Sequence, residues 1–234
     1  MEVSDAAEGS PRERILAVTA ELLAEGGREA VSTRAVGSAA GVQAPTIYRL
    51  FGDKQGLLDA VAEAGFAAYL ESKAGLEPSD DPVQDLRVGW DLHIGFALAN
   101  PALYLVMYGE PRVGGEPAAA VAGMEVLAGH IHRIAEAGRL RVGEELAVQL
   151  VHAGGRGTAA SLIGMAAGRR DLGLSALARE AVIAAIASEV PAVASPGPVS
   201  AAVALRAVLT ETAALTELER GLLREWLDRI SGGR

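Results

Sequence analysis

The stretch VSTRAVGSAAGVQAPTIYRLFGDKQGL, residues 31–57 of a 234-residue chain, predicts two short helices joined by a tight turn. Val36, Ala39 and Ala40 recur at three- and four-residue spacing on one helical face. After an interruption, Ile47 and Leu50 continue an apolar seam on a second helix. This pattern is typical of a helix-turn-helix.

Small residues in this stretch support the same arrangement. Ser32 is a suitable N-cap, because its hydroxyl can accept a hydrogen bond from an unpaired N–H of the first turn. Gly41 lies where two helices at roughly 90–120° need a tight turn, and glycine takes a positive φ there without steric cost. Gly37 costs a helix about 1 kcal/mol relative to alanine, so we expect the second helix to cross close to it.

The motif resembles the TetR family of transcriptional repressors. The likeness lies in STRAVGSAAGV (32–42) and PTIYRLFGDKQGLL (45–58), and it covers the N-terminal part of the chain to about residue 65. Family spacing is kept at Tyr48, Phe51, Lys54 and Leu57-Leu58. The resemblance implies an all-α fold, with an N-terminal three-helix DNA-binding domain and a C-terminal helical domain for ligand binding and dimerisation.

Composition limits how such a protein meets DNA. The chain carries 21 Lys and Arg against 30 Asp and Glu, a net charge of −9, so any DNA contact must come from a local patch. Residues 31–56 supply one, with Arg34, Arg49 and Lys54 against Asp53 alone. The absence of cysteine excludes disulfides, thiolate metal sites and cysteine nucleophiles. Without a signal peptide or a membrane-spanning apolar run, we expect a cytoplasmic protein that does not contact a membrane.

Turn and cap residues predict how the chain is divided. Ser10-Pro11-Arg12-Glu13 can form a capping box, and Gly26-Gly27 should end the first helix. The linker GLEPSDDP (75–82) separates predicted segments at 1–9 (disordered tail), 10–57 (DNA-binding domain), 58–74 (linking helix) and 82–231 (ligand-binding and dimerisation domain). Helices are expected in the last segment at 82–99, 101–109, 117–138, 144–168, 175–190, 199–213 and 216–231.

The first turn of the second motif helix should face the bases of DNA. Gln43 and Thr46 can both donate and accept hydrogen bonds at base edges. Ala44 and Pro45 offer only apolar contact, for example to a thymine methyl. These four residues are the candidates for reading the DNA sequence.

Neighbouring residues are candidates for the DNA backbone. Tyr48 and Lys54 suit phosphate oxygens, although Tyr48 could instead be a packing aromatic and Lys54 a solvated surface residue. Family similarity suggests Thr33 on a phosphate and Arg34 on a guanine, while Arg34 could instead pair with an acid on its own helix. The residues expected in the core are Val36, Ile47 and Phe51.

Four of the nine Phe, Trp and Tyr residues lie within 90–109. Side chains that could line a mainly apolar cavity are Trp90, His93, Phe96, Tyr104, Met107, Tyr108 and, on the following helix, Met124. The same residues equally suit a filled core. Only the family resemblance implies a small-molecule pocket in this region.

No other motif indicates a cofactor, a metal or catalysis. HAGGRGTAASLIG (152–164) resembles a dinucleotide-binding loop, but such a loop needs a preceding strand and a βαβ unit. Small residues at helical spacing equally serve close helix packing, which makes this helix a candidate for a dimer interface. His130 and His132 lie about 200° apart on a helix and do not easily share a metal.

The sequence therefore predicts a TetR-like regulator that is not an enzyme. We expect a homodimer that binds a palindromic operator, represses transcription and is released by a largely apolar small molecule. Residues 144–168 and 175–190 of each subunit would form a four-helix interface. The alternative is an all-α small-molecule binding protein or enzyme without DNA function. An amphipathic last helix around Trp226 either caps the pocket or extends the dimer interface.

Overall fold

The protein is all-α in the computed structural model, which describes residues 10–71, 78–109, 117–189 and 197–232. Over these ranges the α-helices are α1 Pro11–Ala30, α2 Thr33–Ala40, α3 Ala44–Phe51, α4 Lys54–Glu71, α5 Pro82–Ala99, α6 Pro101–Tyr108, α7 Ala118–Glu136, α8 Glu144–Gly164, α9 Gly173–Ile186, α10 Pro198–Ala207 and α11 Glu217–Ile230. Two 3-10 turns, Ala167–Arg169 and Leu209–Glu211, follow α8 and α10. The described part contains no strand, only an isolated antiparallel bridge between Leu140 and Ala187. The predicted fold class is confirmed.

Predicted helix limits agree with the structure to within a few residues, with two differences of note. The helix expected at 144–168 ends at Gly164, because Met165 adopts an extended backbone (φ −84, ψ 143). The helix expected at 199–213 is α10 followed by a separate 3-10 turn, because Val208 (φ −102, ψ 9) leaves the helical conformation. The predicted tail at 1–9 and residues 75–77 of the predicted linker lie outside the described residues.

The chain divides into two compact units. The first comprises residues 1–76 and 96–122, and the second comprises residues 77–95 and 123–234. In the first unit, α1 packs on α2, α4 and α6, and α4 also packs on α6. Residues at the centre of this packing are almost completely buried: Ile15, Leu23, Val36, Ile47, Leu57, Leu58 and Tyr104.

Both ends of α1 depend on specific residues. Ser10 N donates to Glu13 Oε2 (2.7 Å) and Glu13 N donates to Ser10 Oγ (3.3 Å), which is the predicted capping box. The regular α1 helix is interrupted at its predicted end, Gly26-Gly27. Gly27 (φ 64, ψ −164) interrupts the helix in a conformation that L side chains rarely adopt, and the helix then continues to Ala30.

In the second unit, α8 packs on α9, while α10 and α11 pack mainly on each other. The buried Arg139 side chain joins the residue before α5 to the segment after α9. It donates to Asp81 Oδ1 (2.5 Å), Ser188 O (2.8 Å) and Glu189 O (2.7 Å). Because three acceptors surround this guanidinium, its burial leaves no unpaired charge. None of the helices that can be described here has both the length and the apolar character of a membrane span.

Candidate nucleic-acid interface

The turn between α2 and α3 has the geometry that its small residues predict. Ala35 N donates to Ser32 Oγ (3.1 Å), so Ser32 caps α2. Gly41 ends the helix in the left-handed region (φ 66, ψ 32). A Cβ on Gly37 would lie 2.9 Å from Val42 O and 3.8 Å from Ile47 Cδ1. The close approach expected at Gly37 therefore exists, and its nearest neighbour is the backbone of the turn.

The apolar seam of the motif differs in detail from the prediction. Ile47 is fully buried and anchors α3. Ala39 is exposed, because the buried face of α2 runs through Val36 and Ala40 and Ala39 lies about 100° away from Ala40 around the helix. Phe51 is only half-buried, and the Arg12 guanidinium lies 5.7 Å from its ring centroid.

All eight predicted DNA contacts lie at the start of α2, along α3 or at the start of α4. Four of them are exposed: Arg34, Gln43, Pro45 and Tyr48. The other four are half-buried: Thr33, Ala44, Thr46 and Lys54. Tyr48 keeps 51% of its surface exposed, which a packing aromatic would not. Gln43 is the N-cap residue of α3, yet its side chain makes no capping hydrogen bond. The α2 helix contains no acidic partner for Arg34.

The side chain of Lys54 is held by α1, which precedes the helix-turn-helix, so Lys54 is not a freely solvated surface residue. Its Nζ donates to the carbonyl oxygen of Arg28 (3.0 Å), at the C-terminal end of α1, where the helix dipole favours a cation. Arg28 in turn donates to Gln55 Oε1, and Gln55 Nε2 donates to Asp59 Oδ1 (2.8 Å). Because an ammonium carries three N–H donors, Lys54 can keep this bond and still contact a phosphate.

Gly56 is a further residue of the site that the sequence did not reveal. A Cβ on Gly56 would lie 2.1 Å from the carbonyl oxygen of Phe51, the last residue of α3. The backbone N–H of Gly56 donates to Asp53 Oδ1 (2.7 Å), so Asp53 caps the start of α4. Glycine at this position therefore allows α4 to begin directly against the end of α3.

Four of the seven predicted ligand residues belong to the first unit and are buried there: Phe96, Tyr104, Met107 and Tyr108. Phe96 contacts the rings of Tyr69 (centroids 4.6 Å apart) and Phe66 (5.8 Å). Burial raises the pKa of Tyr69 to about 12, so this phenol stays neutral. The rings of Tyr104 and Tyr108 lie 4.8 Å apart. These contacts are those of a packed aromatic core.

The other three, Trp90, His93 and Met124, belong to the second unit, where Met124 is half-buried. Trp90 Nε1 donates to Ser175 Oγ (3.0 Å). A Cβ on Gly154 would lie 3.2 Å from Trp90 Cη2, and one on Gly155 would lie 3.5 Å from His93 Cδ2. The glycine-rich segment therefore packs against these two side chains. It lies inside α8 and follows a helix instead of a strand, so it is not a dinucleotide-binding loop.

An open groove of about 280 Å³ lies elsewhere in the first unit, between the end of α1 and α6. Its lining residues are Gly27, Arg28, Ala102, Leu105, Val106 and Gly109. None of the seven predicted ligand residues lines it. Within the described ranges, no group of three or more His, Asp or Glu side chains is arranged to hold a metal ion.

Comparison with known proteins agrees with this geometry. Residues 15–61 match the model of the family described as bacterial regulatory proteins, tetR family. None of the curated proteins compared with the chain matches it. The sequence match covers most of α1, all of α2 and α3 and the first part of α4, which are the elements that position the site.

Solved structures share the fold over most of the chain. A protein of unknown function from Rhodococcus sp. RHA1 is 24% identical, with a TM-score of 0.65 over 80% of this chain and 100% of its own. The transcriptional regulator FadR from Bacillus subtilis, in complex with stearoyl-CoA, is 19% identical, with a TM-score of 0.60 over 73% and 97%. A single-residue variant of TetR from Acinetobacter baumannii AYE, in complex with minocycline, is 18% identical, with a TM-score of 0.55 over 78% and 94%.

The capped helices, the left-handed Gly41 and the exposed face of α3 define a helix-turn-helix DNA-binding domain on an all-α scaffold. Residues 15–61 match the DNA-binding domain of the tetR family, and this match together with the shared fold supports a TetR-family transcription regulator. Proteins of that family are DNA-binding regulators and not enzymes, so the match supports a regulator over an all-α small-molecule binding protein or enzyme without DNA function.

Proposed function

We propose that the protein is a homodimeric repressor that binds a palindromic operator through α3 and is released by a small-molecule effector. The observation that carries this proposal is the orientation of α3: its Ile47 side is buried, while Gln43, Pro45 and Tyr48 are exposed around its first turns. Such a helix can enter the major groove with its N-terminal residues toward the bases. We propose a cytoplasmic location, because the matching family is one of bacterial regulatory proteins.

A local basic surface supports the contact with DNA in spite of the net charge of −9. Arg34 and Arg49 are exposed, and Lys54 is held beside α3 by the carbonyl of Arg28. One short recognition helix reaches few base pairs, so useful specificity calls for two copies. Half-sites about one helical turn apart, roughly 34–36 Å or somewhat more, would match two such helices.

The exposed face of α8 and α9 supports dimerisation. Large apolar residues are exposed on both helices: Leu146, Leu150, Leu174 and Leu177. Small residues lie between them, including Ala153, Gly157 and Ala181, so a second helix pair can approach closely. An exposed apolar face of this kind marks a protein interface. The two helices correspond to the predicted segments 144–168 and 175–190.

Release by an effector is supported by the structural neighbours. FadR from Bacillus subtilis holds stearoyl-CoA, and the TetR variant from Acinetobacter baumannii holds minocycline, on the same fold. We propose a largely apolar effector for this chain as well. Induction follows if the effector binds more tightly to a dimer whose recognition helices are wrongly spaced for the operator.

Nuclease footprinting on DNA that flanks the gene tests the whole proposal. Two protected half-sites with dyad symmetry are expected. Absence of any sequence-specific protection, at salt concentrations where nonspecific binding is weak, would contradict operator binding.

Replacing Lys54 with alanine should weaken operator binding about five- to tenfold and lower the slope of log K against log salt concentration by about one, because one phosphate contact is lost. Tyr48→Phe should weaken binding without changing that slope, because the phenol is an uncharged donor. Gel shifts at several salt concentrations measure both effects.

Substitutions at the proposed base-contacting residues are the comparison for Lys54→Ala and Tyr48→Phe. Thr46→Ala and Arg34→Ala should change which operator bases are tolerated. Uniform weakening on all sequences would remove Thr46 and Arg34 from the base-reading set, and an unchanged salt slope for Lys54→Ala would remove Lys54 from the phosphate contacts.

Replacing Leu177 with glutamate should break the dimer, because this residue is 74% exposed on α9 and would place a charge inside the interface. We expect the dimer dissociation constant to rise at least about a hundredfold, measured by sedimentation at several concentrations. Val126→Glu introduces the same charge at an exposed apolar residue of α7 (47% exposed) and should leave the dimer intact. Equal effects of both variants would contradict an α8–α9 interface.

A further inference from the structure

The α11 helix exposes a row of large apolar side chains that its own packing does not use. Four residues form it: Leu218 (88% exposed), Leu222 (48%), Trp226 (50%) and Ile230 (49%). They recur every fourth residue, so each is displaced by only about 40° from the last and all lie on one side of the helix. We call this row the α11 stripe. The inward side of α11 runs through Leu223 and Leu227 and adjoins the stripe at its Ile230 end.

The helix that carries the stripe belongs to a small helical hairpin. Its core consists of Ala202, Leu209 and Leu227, with Leu215 and Leu223 packed against it. An ion pair between Arg206 and Asp228 (2.9 Å) joins α10 to α11, and a capping box at Thr216 and Glu219 starts α11. A hairpin of this size buries little apolar surface by itself. An uncovered row of four large apolar residues on it therefore indicates a surface that another molecule covers.

The position of α11 indicates which surface the stripe adjoins. The carbonyl oxygen of Ser231, directly after α11, lies 4.0 Å from where a Cβ on Gly143 would be. Gly143 is the N-cap of α8, and the exposed leucines of the proposed dimer face begin three residues later at Leu146. The Ile230 end of the stripe is therefore next to the start of that face.

The α8–α9 face has fewer exposed residues than one side of a standard stable interface. It offers sixteen exposed residues, of which only Leu146, Leu150, Leu174 and Leu177 are large and apolar. One side of a standard stable interface comprises about 20–30 residues. The α11 stripe would double the number of large apolar anchors in the interface.

Charges around the stripe favour another copy of this chain over a membrane or nucleic acid. The charged residues of α11 are Glu217, Glu219, Glu225 and Asp228, and Arg220, Arg224 and Arg229. An anionic membrane surface or a nucleic acid calls for an excess of basic residues, and α11 has a slight excess of acids. A mixed rim around an apolar centre is typical of a protein interface.

We infer that the α11 stripe packs against a second copy of this chain and extends the α8–α9 dimer interface. This inference rests on the proposed dimer. It assigns the C-terminal hairpin a role in assembly, and it selects interface extension over pocket capping for the last helix.

Two neighbouring substitutions on α11 test the inference in the full-length protein. Leu222→Glu places a charge in the stripe, whereas Gly221→Glu places the same charge on exposed α11 surface about 100° away, where a Cβ meets nothing within 4 Å. Sedimentation should give a dimer dissociation constant at least about tenfold higher for Leu222→Glu than for Gly221→Glu. Circular dichroism checks that both variants are folded.

A second measurement uses Trp226, a fluorophore that the stripe already contains. The chain has two tryptophans, and Trp90 is 4% exposed, so acrylamide quenching reports mainly on Trp226, with Trp226→Phe protein as the background. Trp226 should be protected in the wild-type dimer and become accessible in the Leu177→Glu protein. A shift of its emission to shorter wavelength should accompany dimer formation.

The outcomes separate this inference from the function on which it rests. A wild-type dimer in which Leu222→Glu and Gly221→Glu behave alike, with Trp226 accessible throughout, overturns the inference and leaves the α8–α9 dimer in place. A tetramer that Leu222→Glu reduces to a dimer also overturns it, because the stripe would then join two dimers. A wild-type protein that is monomeric at all concentrations overturns both.

Discussion

Replacing Gly56 with alanine should lower the free energy of unfolding by about 2–3 kcal/mol, the upper part of the range for overpacking substitutions. The added Cβ would lie 2.1 Å from the carbonyl oxygen of Phe51, and a backbone atom cannot rotate away as a side chain can. To relieve the contact, the start of α4 must move away from the end of α3. Operator binding should therefore weaken together with stability, as measured by denaturant unfolding and by gel shift.

Gly65→Ala is the matched control, since it lies on the same helix. Its Cβ would lie 2.6 Å from Leu103 Cδ2, the mobile end of a side chain. Rotation of that leucine, together with the gain in helix propensity of up to about 1 kcal/mol, should keep the change in stability small. If both variants lost the same stability and the same DNA affinity, the contact between Gly56 and Phe51 would not be what positions α3.

The contrast between these two glycines shows how far the sequence predicts the site. Ser32 and Gly41 act within a few residues of themselves, through a hydroxyl cap and a left-handed turn, so local spacing was sufficient to predict them. Gly56 acts on Phe51, which belongs to the preceding helix. Nothing in the spacing of the two residues indicates that α4 begins against the last carbonyl of α3.

Contacts between distant parts of the chain were not predictable for the same reason. Lys54 donates to the carbonyl of Arg28 in the last turn of α1, whereas the sequence indicated only that the helix would end near Gly26-Gly27. The helix limits of the second half followed from proline and glycine. The packing partners of its aromatic residues could not be predicted, because periodicity shows which side of a helix is buried and not what covers it. Trp90 against Gly154 is an example.

Acidification should destabilise the protein through His93 well before its carboxylates protonate. The pKa of His93 is lowered to about 4, chiefly by burial and then by the charge of His152, whereas the unfolded chain binds this proton near pH 6.5. Between these two pH values the unfolded state binds more protons than the folded state. The contribution of His93 to the free energy of unfolding is therefore complete above about pH 6.5 and decreases as the pH falls toward 4. From about pH 7.5 to pH 5, the free energy of unfolding should drop by about 2 kcal/mol because of this group.

His93→Gln isolates that contribution, because glutamine is polar and does not titrate in this range. Burial also lowers the pKa of His130, which gives a loss of the same sign in both proteins and therefore cancels in the comparison. Denaturant unfolding at constant protein concentration should show a free energy that changes less with pH in His93→Gln than in the wild type. If the two proteins lost stability equally between these pH values, His93 would not be held neutral against Gly155, and the tight packing of α5 on α8 at this point would be contradicted.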